Sequence, residues 1–188
     1  MTANPSSWGV DFDEYLRFEL EAEERHELID GQIVAMAGAT RRHNRLCERL
    51  RDAIRPCLGD GPCVLDGSDQ RLAVLAGAKG WVGYYPDLAV YRTDEVHVLN
   101  RDTRTNPRLV VEVTSKSTDK NDRGVKLQDY LQVQSLEEYL IVSHQRQDLE
   151  LWSRTGERWQ RQVVTEGTLR LRCGAVIDVA RLYDGVPD

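Results

Sequence analysis

The sequence predicts an α+β fold, and three of its features carry that expectation. Apolar residues recur at helical spacing in stretches at about 11–24, 41–57 and 121–134. Short apolar runs of strand length, separated by Gly, Pro, Asn or Asp clusters, fill most of the remainder. The resulting order is helix, β-hairpin, helix, several strands, helix and three further strands, without the regular strand and helix alternation of a doubly wound sheet. No repeat, low-complexity segment or linker-like composition divides the 188 residues. A single domain is expected over 1–188, with 1–25 as an N-terminal helical extension and the core at about 26–165.

Taken in order, "DFDEYLRFELEAEE" places apolar residues at 12, 15, 16 and 20 on an acidic surface, which predicts a solvated helix. "HELIDGQIVAM" sets two apolar runs around Asp30 and Gly31, a strong short-range hairpin signal. Thr40 can cap a helix through about Cys57, with Leu46, Leu50 and Ile54 spaced by fours and Pro56 and Gly59 ending it. That helix also carries Arg41, Arg42, Arg45, Arg49, Arg51 and Arg55, read first as a solvated face. Strands follow at "PCVLDG", "QRLAVLAG", "WVGYY", "DLAVYR" and "RLVVEV". After the helix at 121–134 come "EYLIVS", "LELWSR" and "RWQRQVV", the last two joined by a turn at "RTGE". The tail "AVIDVARLYD" reads as a short strand and a helical turn.

Composition excludes several function classes. No window approaches the ~20 apolar residues of a membrane helix, and the N-terminus lacks a basic start followed by an apolar core. A cytoplasmic protein with no membrane partner is therefore expected. Cys47, Cys57, Cys63 and Cys173 show no CxxC pair and no zinc-finger spacing, so neither a zinc site nor a disulfide framework is expected. A net charge of −6 argues against nucleic-acid binding through bulk positive potential. Arginine supplies 21 of the 25 basic residues, and three of the four lysines, Lys116, Lys120 and Lys126, lie within eleven residues. There is no glycine-rich phosphate loop and no GxSxG to suggest a small-molecule enzyme.

The informative carboxylates are Asp87 and Glu112. The runs containing them are joined by fifteen residues, 93–107, so an antiparallel hairpin with a long loop is the simplest pairing. If Arg92 opposes Arg108, Asp87 opposes Val113 and lies diagonal to Glu112, and a slip of one residue sets the two acids face to face. Like charges so placed destabilise a sheet by up to ~1 kcal/mol unless a positive group intervenes. A divalent cation would supply one. Lys126 stands at the edge of the stripe formed by Leu127, Tyr130 and Leu131, where a lysine needs an anionic partner. Asp122, one turn earlier, is the local choice, giving an exposed pair worth about 0.3–0.5 kcal/mol. Taken singly, Asp87 could merely start a strand, Glu112 could be the exposed residue of a half-buried one, and Lys126 could be solvated.

The blocks "HELIDGQIVAMAGATRRHNRL", "YYPDLAVY" and "RLVVEVTSKSTDKNDRGVKLQDYLQVQSLEEYLIV" resemble the Uma-two-type restriction-endonuclease family of the PD-(D/E)XK nuclease superfamily, over about residues 15–155. The resemblance implies a restriction-endonuclease-like mixed β-sheet core flanked by helices. It also implies a Mg2+ (or Mn2+) site built on Asp87 and Glu112, with Glu27 as an upstream carboxylate, that hydrolyses phosphodiester bonds in nucleic acid, DNA in first place. The lysine such a motif places two residues after Glu112 is replaced by Thr114. Lys126 on the next helix takes its role by the resemblance, with Lys116 as competitor. His43 matches a family position without a clear role, and a lone histidine is more often structural. Ser115, Ser117 and Thr118 are expected to cap the following helix. The alternative is a catalytically silent nuclease-fold binding or assembly module, with a homodimer as the assembly to look for.

Overall fold

The computed structural model describes residues 9–36, 38–94, 98–100 and 102–186. Helix α1 (Phe12–Glu21) is capped by Asp11, whose side chain accepts the Glu14 N–H at 2.8 Å. It is less solvated than its acidic surface suggests. Tyr15 is fully buried and donates its hydroxyl to the His26 carbonyl at 2.7 Å. Strands β1 (His26–Ile29) and β2 (Gln32–Ala35) form the predicted hairpin, with Asp30 and Gly31 both at positive φ, 48° and 74°, as a type I′ turn requires. In α2 (Arg41–Leu58) the Thr40 hydroxyl accepts the His43 N–H, as its position predicts. Pro56 does not end this helix. It sits in the last turn, where a missing N–H removes a single bond, and the chain turns away at Gly59, φ 52°.

Then follow β3 (Cys63–Gly67), β4 (Arg71–Leu75), a 3-10 turn (Gly77–Lys79), β5 (Trp81–Tyr84), β6 (Leu88–Arg92), β7 (Val98–Asn100), β8 (Thr103–Arg104) and β9 (Pro107–Thr114). The segment expected as one long loop between β6 and β9 thus contains two short strands. Helices α3 (Asp119–Asp122) and α4 (Val125–Tyr130) precede β10 (Glu138–Ser143), β11 (Leu149–Thr155), β12 (Arg158–Val164), β13 (Thr168–Arg170), β14 (Val176–Asp178) and α5 (Val179–Tyr183). Among the described residues no helix is long and apolar enough to cross a membrane.

The main sheet has the order β12-β11-β10-β9-β6-β3, and a second runs β2-β1-β5-β4-β8-β7. Only the β9/β10 pair of the main sheet is parallel, so the sheet is mixed. Side chains of β9 alternate between two cores. Leu109, Val111 and Val113 join Leu46, Leu50 and Ile54 of α2, whereas Val110 joins Tyr84, Tyr130 and Tyr139 on the other side. A strand covered on both faces reads as a continuous apolar run, which is why "RLVVEV" shows no alternation. Residues 169–186 add Leu169, Leu171, Ile177, Leu182 and Tyr183 to the α2 core.

The predicted 121–134 helix is broken into α3 and α4 at Gly124. A Cβ there would stand 2.5 Å from the Lys120 carbonyl oxygen, so only glycine lets the chain turn at this point. Gly124→Ala is expected to lower stability by about 1–3 kcal/mol, the usual effect of forced overpacking. Urea denaturation checks this, and an unchanged midpoint would refute it.

Candidate functional site

Three elements bring acidic side chains around one lysine. Lys126 Nζ, in the first turn of α4, lies 2.8 Å from Glu27 Oε1 on β1, 3.2 Å from Glu112 Oε1 on β9 and 3.6 Å from Asp122 Oδ1 at the end of α3. The Tyr130 hydroxyl, one turn after Lys126, donates to the same Glu112 oxygen at 3.1 Å. The Tyr85 backbone N–H donates to Glu27 Oε1 at 3.1 Å, and the Tyr84 ring lies 5.4 Å from the ammonium. Glu112 and Lys126 are only 4% and 5% exposed, so the cluster is closed rather than the solvent-open pocket that a nuclease centre suggests. Two clefts of about 680 and about 960 Å³ lie elsewhere, beside Arg123 and Arg161 and beside Phe12 and Trp81.

Asp87 approaches from the residue just before the neighbouring strand, β6. The pair Leu88↔Val111 fixes the register of β6 on β9, and one further step sets Asp87 beside Glu112, the slipped alternative rather than the Arg92–Arg108 alignment. Its Oδ2 accepts the Val113 N–H at 2.7 Å and faces His43 Nε2 of α2 at 3.1 Å. The other ring nitrogen, Nδ1, lies 3.7 Å from Cys47 Sγ, one turn along α2.

One ammonium cannot neutralise this many carboxylates. Burial works against charge on Lys126, but Glu112, Glu27 and Asp122 outweigh it and hold the ammonium protonated well above the ordinary lysine range. Burial is also the largest influence on Glu112. Lys126 offsets it only in part, Asp122 and Asp87 add repulsion, and the carboxyl is pushed well above its ordinary range. Asp122 is raised for the same first reason, and its Oδ1 is buried and accepts no hydrogen bond among the described residues. For His43 burial favours the neutral ring, but the Asp87 hydrogen bond and charge prevail and raise its pKa. Burial and then the Asp87 and Glu112 charges push the Cys47 thiol up. The donors are all carboxylate oxygens, the type a hard divalent cation takes, and the Lys126 ammonium stands at the centre that Glu27, Glu112 and Asp122 share.

The structure therefore gathers Glu27, Glu112, Asp122 and Lys126 into one cluster and sets Asp87 and His43 at its side. Three expectations are corrected. The Asp122–Lys126 pair is buried, because α3 and α4 pack against the sheet instead of forming one surface helix. Lys116 is exposed on the turn after β9 and does not join the cluster. The Ser115 and Thr118 hydroxyls bond within their own turn, the Ser115 N–H to Thr118 Oγ1 at 2.8 Å and the Thr118 N–H to Ser115 Oγ at 3.2 Å, and give α3 no side-chain cap.

Nor is the arginine helix simply solvated. Arg42 bonds the His144 carbonyl, and Arg49 bonds those of Arg181 and Leu182, tying α2 to the C-terminal segment. Sequence reading missed Tyr130 and Cys47. Their signals were the four-residue steps from Lys126 to Tyr130 and from His43 to Cys47, which place each pair on one helix face.

Removing the ammonium leaves buried acids uncompensated. Lys126→Met is expected to cost about 3–5 kcal/mol at neutral pH in urea denaturation, and a loss under 1 kcal/mol would refute the buried cluster. Since the folded pKa of Glu112 lies well above the ordinary 4.5, its stabilising proton uptake is fully present below pH 4.5 and is lost as pH rises through the folded value. Glu112→Gln should therefore flatten the fall of stability with rising pH above 4.5, and an unchanged slope would contradict the shift.

Comparison with known proteins bears on the family and the fold. A family model described as "Putative restriction endonuclease" matches residues 12–180. One uncharacterized protein of Synechocystis sp. is 32% identical over 145 residues, which are 77% of this chain and 74% of that protein. Another from the same organism is 33% identical over 146 residues, 77% of this chain and 81% of its own. The crystal structure of a "putative nuclease" from Anabaena variabilis superposes with a TM-score of 0.74 at 13% identity, covering 93% of this chain and 98% of that one, a likeness of fold. With its mixed sheet and a family match spanning nearly the whole chain, the protein belongs to the Uma2 family.

Proposed function

We propose that the protein is a nuclease that uses Mg2+ or Mn2+ to hydrolyse phosphodiester bonds in nucleic acid, with DNA as the substrate. The observation that carries this reading is the convergence of Glu27, Glu112 and Asp122 on a single lysine, with Asp87 beside Glu112. Glu112, Asp87 and Glu27 are the residues that would hold the ion. When bound, such an ion neutralises charge developing on phosphoryl oxygens and lowers the pKa of a coordinated water. Lys126 keeps its charge at any physiological pH and can stabilise a non-bridging phosphate oxygen without a proton transfer. The Tyr130 hydroxyl and the Tyr85 N–H orient Glu112 and Glu27, and the Val113 N–H together with His43 orients Asp87.

Closure of the cluster favours a second reading, a binding module of nuclease ancestry in which Lys126 stands in for the cation. Metal binding separates the two. Under the first reading Mn2+ at a hundred times its Kd raises unfolding stability by about 2.7 kcal/mol, and Glu112→Ala abolishes the gain. The same substitution, or Asp87→Ala, lowers Mg2+-dependent nicking of supercoiled plasmid by at least about a hundredfold. A wild-type protein whose melting is indifferent to Mn2+ would leave the module as the surviving interpretation.

A further inference from the structure

Asp87 has a second set of neighbours that the proposed hard-ion centre does not use as metal ligands. His43 and Cys47 stand four residues apart on α2 and so face the same way. Cys47 Sγ lies 3.7 Å from His43 Nδ1, and His43 Nε2 lies 3.1 Å from Asp87 Oδ2. One ligand atom from each of the three lies within 4.8 Å of the others, the one such trio among the described residues. With zinc bonds of about 2.0–2.3 Å, neighbouring ligand atoms of a tetrahedron stand roughly 3.3–3.6 Å apart. The two contacts engage different nitrogens of the His43 ring, of which one alone can ligate a given ion, so the trio, already within 4.8 Å, closes on a common ion by a turn of side-chain torsions. The His43 and Asp87 side chains are 16% and 14% exposed, so this trio is more open to solvent than the Glu112–Lys126 cluster.

The donor types decide which ion. Nitrogen and sulfur beside one carboxylate suit zinc-class metals, whereas magnesium takes oxygen. We propose that His43, Cys47 and Asp87 form a site for a zinc-class divalent ion, held by one imidazole nitrogen, the Cys47 thiolate and the Asp87 carboxylate, with water completing the coordination. The thiol proton leaves to solvent as the sulfur–metal bond forms. Cysteine spacing does not reveal such a trio, because Asp87 stands 44 positions from His43, just before β6. The site shares Asp87 with the hard-ion centre, so zinc antagonises magnesium; that consequence rests on the proposed function, whereas zinc binding does not.

The experiment titrates the full chain with Zn2+ by calorimetry and with Co2+ by absorption, alongside Cys47→Ser, His43→Gln and the exposed-thiol control Cys57→Ser. Wild type and Cys57→Ser are expected to bind and to show a thiolate-to-cobalt charge-transfer band. Cys47→Ser loses the band, and it and His43→Gln bind zinc more than about tenfold more weakly, a loss that even outer-shell partners can cause. Metal-free melting profiles that match wild type show that these variants remain folded. A band that survives in Cys47→Ser, a band lost in Cys57→Ser, or a wild type that binds no zinc overturns the proposal. Binding is the readout, so the result stands whether or not the protein cleaves DNA.

Discussion

The Lys126 ammonium is the interaction on which the rest of the architecture depends. Burying a charge on this scale is tolerated only where partners surround it, and here they come from β1, β9 and α3. The contact is structural before it is chemical. Glu27 belongs to the second sheet and Glu112 to the main one, so the lysine on α4 joins two sheets that share no strand. Glu112 can occupy an otherwise apolar strand because that ammonium and the Tyr130 hydroxyl meet it on the Val110 side.

Aromatic hydroxyls extend this network outward. The Tyr84 hydroxyl donates to Asp129 at 2.6 Å, and Lys79 reaches Asp129 at 3.5 Å and Asp30 of the β1/β2 turn at 2.6 Å. Further out, the Tyr85 hydroxyl donates to Glu19 at 2.9 Å and accepts from Arg71 at 2.9 Å. The residue whose N–H holds Glu27 is thereby anchored through its own side chain to α1 and β4. In a low-dielectric interior such satisfied networks rigidify the groups they contain, which is what a preorganised site requires.

Charge is distributed unevenly between centre and periphery. The acids concentrate around Lys126 and Asp87, while two arginines of α2, Arg42 and Arg49, are engaged with backbone carbonyls of the C-terminal segment. Arg123 and Arg161 are paired with Glu150 beside the cleft on β11 and β12. A net charge of −6 therefore does not arise from a lack of basic residues, and the basic residues that remain near clefts are already partnered by acids. Nucleic acid approaching such a surface exchanges one set of ion pairs for another, which makes association sensitive to salt.

By itself the sequence determined the elements whose signals are local. The Thr40 cap and the fours of Leu46, Leu50 and Ile54 defined α2, the Asp30–Gly31 pair defined the hairpin, and the apolar runs placed Asp87 and Glu112 on paired strands to within one residue of register. Tertiary structure alone decided that Glu27, 99 positions away, meets Lys126, the parallel seat of β10 on β9, and the burial of Asp122. It also decided that a helical pattern at 121–134 breaks at Gly124. The reason is range. Turns, caps and periodicity act over a few residues and leave their mark in neighbouring letters, whereas the pairing of buried charges depends on which strands the whole chain brings into contact.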